Sequence, residues 1–325
     1  MRLINKIIVY IFIIFLLIGC SNKENFKKYS YELKKISSLD FKKREQLKEI
    51  DSIFKIEEFY YLIDRISKNI YIFTQQGTFL KKIGGKGKGP GEFMSLQPYG
   101  WGFKKVVFFD LKMMRLSVYN SEGKLLKIIN LENEGMILAA KKSIIFHKKN
   151  QIILPCFFKK LNDSNLVIYD LKNEKVVKKL YSEKFNFDKS HKELLMKMKN
   201  VSIVNSELMF TYIFHNRIKI YNMKKDQVIK TLKVKQLFKY ESNEDDFFKR
   251  AENQFLGESY LYNNHILINS KNENKNGVFV FDKNFNELGF IKNLDIDFQY
   301  NGNLYSKKGN KIFKITNIKR IDENE

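Results

Sequence analysis

Apolar and polar residues alternate along most of this chain, and one octet of that alternation recurs. IYIFTQQG begins at residue 70, LSVYNSEG at 116, LVIYDLKN at 166, IKIYNMKK at 218 and VFVFDKNF at 278. Each reads apolar, any, apolar, aromatic, then Asp, Asn or Thr; a sixth, IFKITNIK at 312, is degenerate. Alternation that stops at a turn residue is the mark of a strand entering a hairpin. A second alternating run follows each of the first five octets: TFLKKI (78–83), KLLKII (124–129), KVVKKL (175–180), QVIKTL (227–232) and ELGFIK (287–292). Another precedes each octet: EFYYLID (58–64), KKVVFFD (104–110), QIILPCFF (151–158), ELMFTYIF (207–214), HILINS (265–270) and NLYSKK (303–308). Earlier apolar stretches such as SIIFHKK (143–149) and GESYLY (257–262) supply a fourth strand. Four strands per unit at a period near 45 residues, six times over, predict an all-β, six-bladed β-propeller.

The last unit is short of an outer strand, since few residues follow its octet. Near the start, Leu33-Lys34-Lys35-Ile36 repeats the pattern of Leu80-Lys81-Lys82-Ile83 in the first unit. The N-terminal strand over 31–37 is therefore expected to complete the last blade, which removes open sheet edges at the seam. Two segments break the period. FDKSHKELLMKMKN (187–200) and ESNEDDFFKRAENQFLG (241–257) are expected to be short helical inserts, the second opened by Ser242 with Asp245 three residues on.

Composition narrows the partners. The net charge is +23, but only seven of the 59 basic residues are Arg. Recognition of bases and phosphates favours the forked guanidinium, so a charge carried by Lys reads as a solvated surface and weighs against nucleic acid. An acidic glycan or a membrane surface is the remaining anionic partner.

The first 19 residues are set apart. Arg2 and Lys6 precede an unbroken apolar run from Ile7 to Ile18, too short to span a bilayer comfortably and suited to a signal-peptide core. Leu17-Ile18-Gly19-Cys20 then resembles the lipobox of bacterial lipoproteins. The resemblance implies diacylglycerol on Cys20, cleavage before it, and a lipidated tether over 20–29 leading into a propeller over 30–325. Several acyl chains give stable anchoring where one is marginal. Cleavage leaves Cys156 alone, within the apolar run QIILPCFF, which reads as an inert buried thiol.

The stretch GGKGKGPGEF (84–93) raises the question of a phosphate loop. It holds Gly84, Gly85, Gly87, Gly89, Pro90, Gly91 and Glu92. Neither the dinucleotide fingerprint nor the P-loop pattern fits, and the predicted fold supplies no helix to receive a phosphate. The glycines read as structural, allowing positive φ in a long crossing between blades, with Pro90 stiffening it. This stretch, MRLSVYNSEGKLLKI after it, and HNRIKIYN later resemble NHL-type repeats. The pattern over roughly 30–320 is similar to the six-bladed β-propeller lipoproteins of Gram-negative bacteria, in which a G-x-G-P-G-E-[FY] stretch joins an early blade to the next. That family implies a fold and an envelope location, with the outer membrane as the anchoring membrane, and no firm activity.

Catalytic patterns are not found. His147, His191, His215 and His265 lack metal-ligand spacing, and no nucleophile elbow occurs, so neither a metal nor a cofactor is expected. Asp64, Asp110, Asp170 and Asp282 fall at strand ends, where acids form turns. In a propeller the loops between second and third strands share a face with the interblade loops. Arg65, Arg115 and Arg217 fall in such loops, His215 is beside Arg217, and Tyr99 and Trp101 lie near the inner strand of the second unit. These six are the candidate ligand-binding residues, forming a cationic, aromatic-rimmed mouth for an anionic or sugar-like ligand. The competing reading has the arginines supporting strand starts and Trp101 packing between blades. The sequence thus predicts a lipid-anchored cell-envelope module that binds a ligand or an envelope protein without catalysis. A hydrolase or lyase acting on a glycan or peptide at the channel mouth is the alternative.

Overall fold

The computed structural model describes residues 27–38, 50–64, 66–131, 136–138, 144–158, 163–184, 199–204, 206–212, 217–234, 255–271, 276–308 and 311–320. The first strand, β1 (Lys27–Ser38), begins inside the stretch read as tether. Blade 1 follows as β2 (Ile50–Ile56), β3 (Phe59–Asp64), β4 (Asn69–Thr74) and β5 (Phe79–Gly84). Blade 2 is β6 (Leu96–Gly102), β7 (Lys105–Asp110), β8 (Arg115–Asn120) and β9 (Leu125–Asn130). Blade 3 splits its inner strand into β10 (Met136–Leu138) and β11 (Ile145–Lys148), both paired to β12 (Gln151–Phe158), with β13 (Asp163–Asp170) and β14 (Lys175–Lys184) outside. Blade 4 is β15 (Lys199–Val204), β16 (Glu207–Tyr212), β17 (Arg217–Asn222) and β18 (Gln227–Lys233). Blade 5 is β19 (Phe255–Tyr262), β20 (His265–Lys271), β21 (Gly277–Phe281) and β22 (Glu287–Lys292). Blade 6 holds β23 (Phe298–Tyr300), β24 (Asn303–Lys308) and β25 (Lys311–Arg320). Strands within each blade run antiparallel, and six blades result. On the far side of β25 lies β1, antiparallel from Tyr29↔Arg320 to Ser38↔Lys311. Its first two residues also pair in parallel with Gly289 and Phe290 of β22, tying blade 5 to blade 6.

The described residues contain no helix. The helical reading of 187–200 and 241–257 is corrected at the end of each: Lys199 and Asn200 open β15, and Phe255–Gly257 open β19. Both ends lead directly into an inner strand, and pairing along the blade overrides local helical pattern. The remainder of both segments, residues 1–26 with Cys20, Arg65 and His215 lie outside the described residues.

The octet has a packing cause. Its aromatic position, Phe73, Tyr119, Tyr169, Tyr221 and Phe281, is at most 3% exposed in every blade, and Ile315 takes the place in blade 6. The core is accordingly divided among the blade interfaces. One cluster joins blades 1, 2 and 6 around Phe54, Tyr60, Phe108 and Phe298; others join blades 2 and 3, 3 and 4, 4 and 5, and 5 and 6. Blade 6 meets blade 1 where Phe298 packs edge-on against Tyr60 at 6.3 Å. On the outer strands, exposed Lys81 and Lys82, Lys178 and Lys179, and Lys34 and Lys35 stand where another chain's strand would otherwise add. Repulsion between such edges opposes aggregation, which gives part of the lysine excess a structural use.

Candidate functional site

The glycine loop is a self-contained structure. Gly84, Gly85 and Gly91 take φ of 81°, 123° and 77°, which side chains disfavour. At Gly87 and Gly89 a Cβ would stand 2.1 and 2.9 Å from the Glu92 carboxylate and would push that carboxylate aside. That carboxylate accepts the Gly89 N–H at 2.8 Å. Arg115 donates to the carbonyls of Lys88 (3.0 Å), Gly89 (2.9 Å) and Glu92 (2.6 Å). Its guanidinium therefore holds the crossing together. Asp110 fixes the other side, accepting from the N–H groups of Met94, Ser95, Lys112 and Met113. Asp64, Asp170 and Asp282 likewise accept backbone N–H groups two to four residues on.

A second constellation lies between blades 3 and 4. The Glu183 carboxylate accepts from Lys219 Nζ at 2.6 Å, Tyr212 at 2.7 Å, Tyr181 at 2.8 Å and Lys199 Nζ at 3.3 Å. The Lys199 side chain has no exposed surface, and its ammonium also stands over the rings of Tyr181, Phe210 and Tyr212 at 5.3–6.0 Å. Arg217 stands over the Tyr212 ring at 5.9 Å. Burial pushes the Glu183 carboxyl up, but the Lys199 charge and the hydrogen bonds from Lys219, Tyr212 and Tyr181 outweigh it and hold the group well below the usual carboxylate range. Burial, then the adjacent carboxylate, push both tyrosine hydroxyls far above the phenol range. A general acid or base works best with a pKa near ambient pH, and these groups move away from it. The arrangement is a polar clamp between blades. The alternating run KVVKKL stops at residue 180 in the sequence pattern, whereas β14 continues through Tyr181 and Glu183, so the clamp is not visible in that run. The i, i+2 spacing of those two residues in a continued strand is the signal that could have found them. Nearby Cys156 is fully buried, and burial drives its thiol far up, so it is not a nucleophile.

The third constellation is a cavity on the central axis, with a volume of about 320 Å³, at the low end for small-molecule sites. Five blades line it. Blade 2 contributes Trp101 and Phe103, blade 3 Ile144 and Phe146, blade 4 Ser202 and Ile203, blade 5 Ser259 and Tyr260, and blade 6 Asp297 and Gln299. The cavity lies toward the turns between first and second strands: Phe103 belongs to such a turn, and Ile203 and Gln299 stand two residues before theirs. Its walls are well tied. Asn200 donates to Leu256 O at 3.4 Å and Thr211 to Gly257 O at 3.0 Å, and the Ser202 and Ser259 hydroxyls bond each other, all joining blade 4 to blade 5. Tyr260 donates to Ile296 O at 2.9 Å, joining blade 5 to blade 6. Trp101 stacks on Phe54 of blade 1 at 4.6 Å.

Of the six candidate residues, Arg65 and His215 lie outside the described residues, and the described arginines stand apart from Trp101. Trp101 lines the cavity, while Arg115 is in blade 2 on the glycine loop and Arg217 is in blade 4 beside the Glu183 clamp. Tyr99 lies in β6 opposite Phe108. No group of three or more His, Cys, Asp or Glu able to hold a metal occurs among the described residues.

A family model described as 6-bladed beta-propeller, DUF5128, matches residues 18–285. No curated protein matches the sequence. Among solved structures, the chain is similar to a member of the DUF4221 family from Bacteroides vulgatus ATCC 8482, with 15% identity, a TM-score of 0.59, and 90% of this chain and 100% of that one covered. It is also similar to a protein of Bacteroides fragilis NCTC 9343 named as a candidate exported protein, with 12% identity, a TM-score of 0.58, and coverage of 90% and 96%. A streptogramin B lyase shares 11% identity at a TM-score of 0.50, with coverage of 82% and 78%. At these identities the likeness is one of fold.

Proposed function

Because the chain belongs to the DUF5128 family of 6-bladed beta-propellers, we propose that it is a lipid-anchored binding module of the bacterial cell envelope that holds its ligand in the axial channel without chemistry. The observation that carries this reading is the cavity itself: its walls are tied by hydrogen bonds between blades, and among the described residues that line it there is one carboxylate, Asp297, and no histidine, lysine, arginine or cysteine. An aromatic and aliphatic lining with a few convergent polar groups suits binding. The NHL-like lipoprotein resemblance, the lipobox at Cys20 and the likeness to a candidate exported protein support the envelope location. Propellers host both binders and enzymes, and a lyase has this architecture, so the fold does not choose between them.

Cys20→Ser should abolish acylation and release the protein from the membrane fraction. Retention of the variant after a high-salt wash would remove the lipid as the anchor. Proteins captured with the detergent-solubilised wild type test the module directly, and turnover of a cyclic peptide or glycan by the purified protein would turn the reading towards a lyase or hydrolase.

The pairing of β1 with β25 is, in this proposal, the closure of the ring. Deleting residues 21–38 strips one edge of β25 and removes Tyr29, Tyr31 and Leu33 from the cluster between blades 5 and 6. The shortened chain should melt lower by about 10 °C or more, and an unchanged melting curve would defeat the closure.

A further inference from the structure

The turns around the channel mouth differ in one telling respect. Blade 5 uses Asn263-Asn264 and blade 6 Asn301-Gly302 between the first two strands, with φ of 47° and 64°, and 47° and 73°. These are the residues that two-residue hairpins prefer, because both central positions need positive φ. Blades 1 and 4 place Glu57 (φ 50°) and Ser206 (φ 65°) in the corresponding turns, and blade 2 places Phe103-Lys104 there, at φ of 50° and 59°, the aromatic one among these described turns. A bulky residue in that region is strained. Packing does not account for it, since Phe103 is 54% exposed and meets Phe146 only in a tilted contact at 6.3 Å. A strained aromatic held at the mouth of a cavity is a feature of ligand sites.

The lining fixes the chemistry of what would bind. The chain carries 59 lysines and arginines, yet none is among the described residues that line the cavity, which disfavours an anion there. Trp101, Phe103 and Phe146 bring aromatic rings to the lining, of which Phe103 is the exposed one, while Ser202, Ser259, Gln299 and Asp297 bring short polar groups. Apolar ring faces beside hydroxyl, amide and carboxylate groups match a ligand whose one face is C–H and whose rim is hydroxyl. We infer that the channel mouth takes a neutral saccharide, stacked on Phe103 and hydrogen-bonded deeper in by Ser202, Ser259 and Gln299. This rests on the reading of the protein as a binding module and adds the ligand class.

Trp101 is the only tryptophan in the chain and lines the site, so its fluorescence reports occupancy directly. The detergent-solubilised full chain is titrated with xylo-, malto- and chito-oligosaccharides, and with oligogalacturonate as the anionic control. At least one neutral series should shift Trp101 emission saturably, and oligogalacturonate should not. Phe103→Asn should weaken that binding at least ten-fold while melting at the same or a higher temperature, because Asn tolerates the left-handed conformation; Phe103→Tyr should keep binding. No response to any neutral series at millimolar concentration, tighter binding of oligogalacturonate, or undiminished affinity in Phe103→Asn would each overturn the assignment. If the saccharides fail while protein partners are still captured from the envelope, the ligand class falls and the module stands.

Discussion

Replacing Gly100 by Ala should be among the most destabilising methyl additions at the described glycines, alongside Gly277, where a Cβ would stand 2.0 Å from the Ile291 carbonyl oxygen. A Cβ at Gly100 would stand 1.9 Å from the Ile144 carbonyl oxygen and 2.8 Å from the Ile144 Cβ. The obstacle is backbone, so no side-chain rotation relieves it, and blades 2 and 3 must move apart where both line the cavity. Overpacking of an ordinary core site costs about 1–3 kcal/mol; a forced shift between two blades should exceed about 4 kcal/mol, in the range reserved for severe packing defects. Gly302→Ala is the control. Nothing lies within 4 Å of its Cβ position, and only the φ of 73° opposes substitution, so its cost should stay near 1–2 kcal/mol. Urea denaturation of the two variants compares them. Equal midpoints would show that the blade 2–3 contact yields more easily than its geometry indicates.

Glu183→Gln should cost about 3–5 kcal/mol, because it leaves the wholly buried Lys199 without its carboxylate. For a chain of this length the corresponding fall in melting temperature is roughly 5–8 °C. The pH dependence has a definite sign. The folded-state pKa of Glu183 lies below its ordinary value of 4.5. Its contribution is therefore fully present above that value and is lost as pH falls from there toward the lowered folded value. Wild-type stability should drop on acidification below about pH 4.5, and Glu183→Gln should lack that part of the drop. A variant that melts within about 2 °C of the wild type, or that loses stability with acid just as steeply, would show the clamp to be marginal. Lys219→Met separates charge from packing: Lys219 is partly exposed where Lys199 is not, so its loss should cost less.

Binding in the channel, as proposed, would lie away from the arginine-bearing loops. The arginine-bearing loops were the sequence's candidate surface, and Arg115 and Arg217 have intramolecular roles in the structure. The cavity lies toward the opposite set of turns, and apart from Trp101 the described residues that line it carry little sequence signal of their own. Ser202, Ser259 and Gln299 are common polar residues in unremarkable strands, and only the closing of blades around an axis brings them within one volume.

The part of the structure that repeats locally can be read from the order of residues alone. Period-two alternation sets which face of each strand is buried, and the aromatic before the turn recurs because every blade needs the same large side chain against its neighbour. Six octets therefore specified six blades, and the echo of Leu80–Ile83 in Leu33–Ile36 marked the strand that lies beside β25. The glycine loop was legible too, since its residues answer to backbone conformation and to a carboxylate a few positions away. The rest depends on how the blades meet in three dimensions. Alternation says that a residue faces a neighbouring blade but not what it meets there, so the joining of Glu183 to Lys199, Tyr212 and Lys219 was invisible across the end of one blade and the start of the next. The same holds for Gly100 against Ile144 and for Trp101 with Gln299. These contacts arise from the packing angle between blades and from ring closure, which are set by the sum of five interface clusters and not by any one stretch of chain.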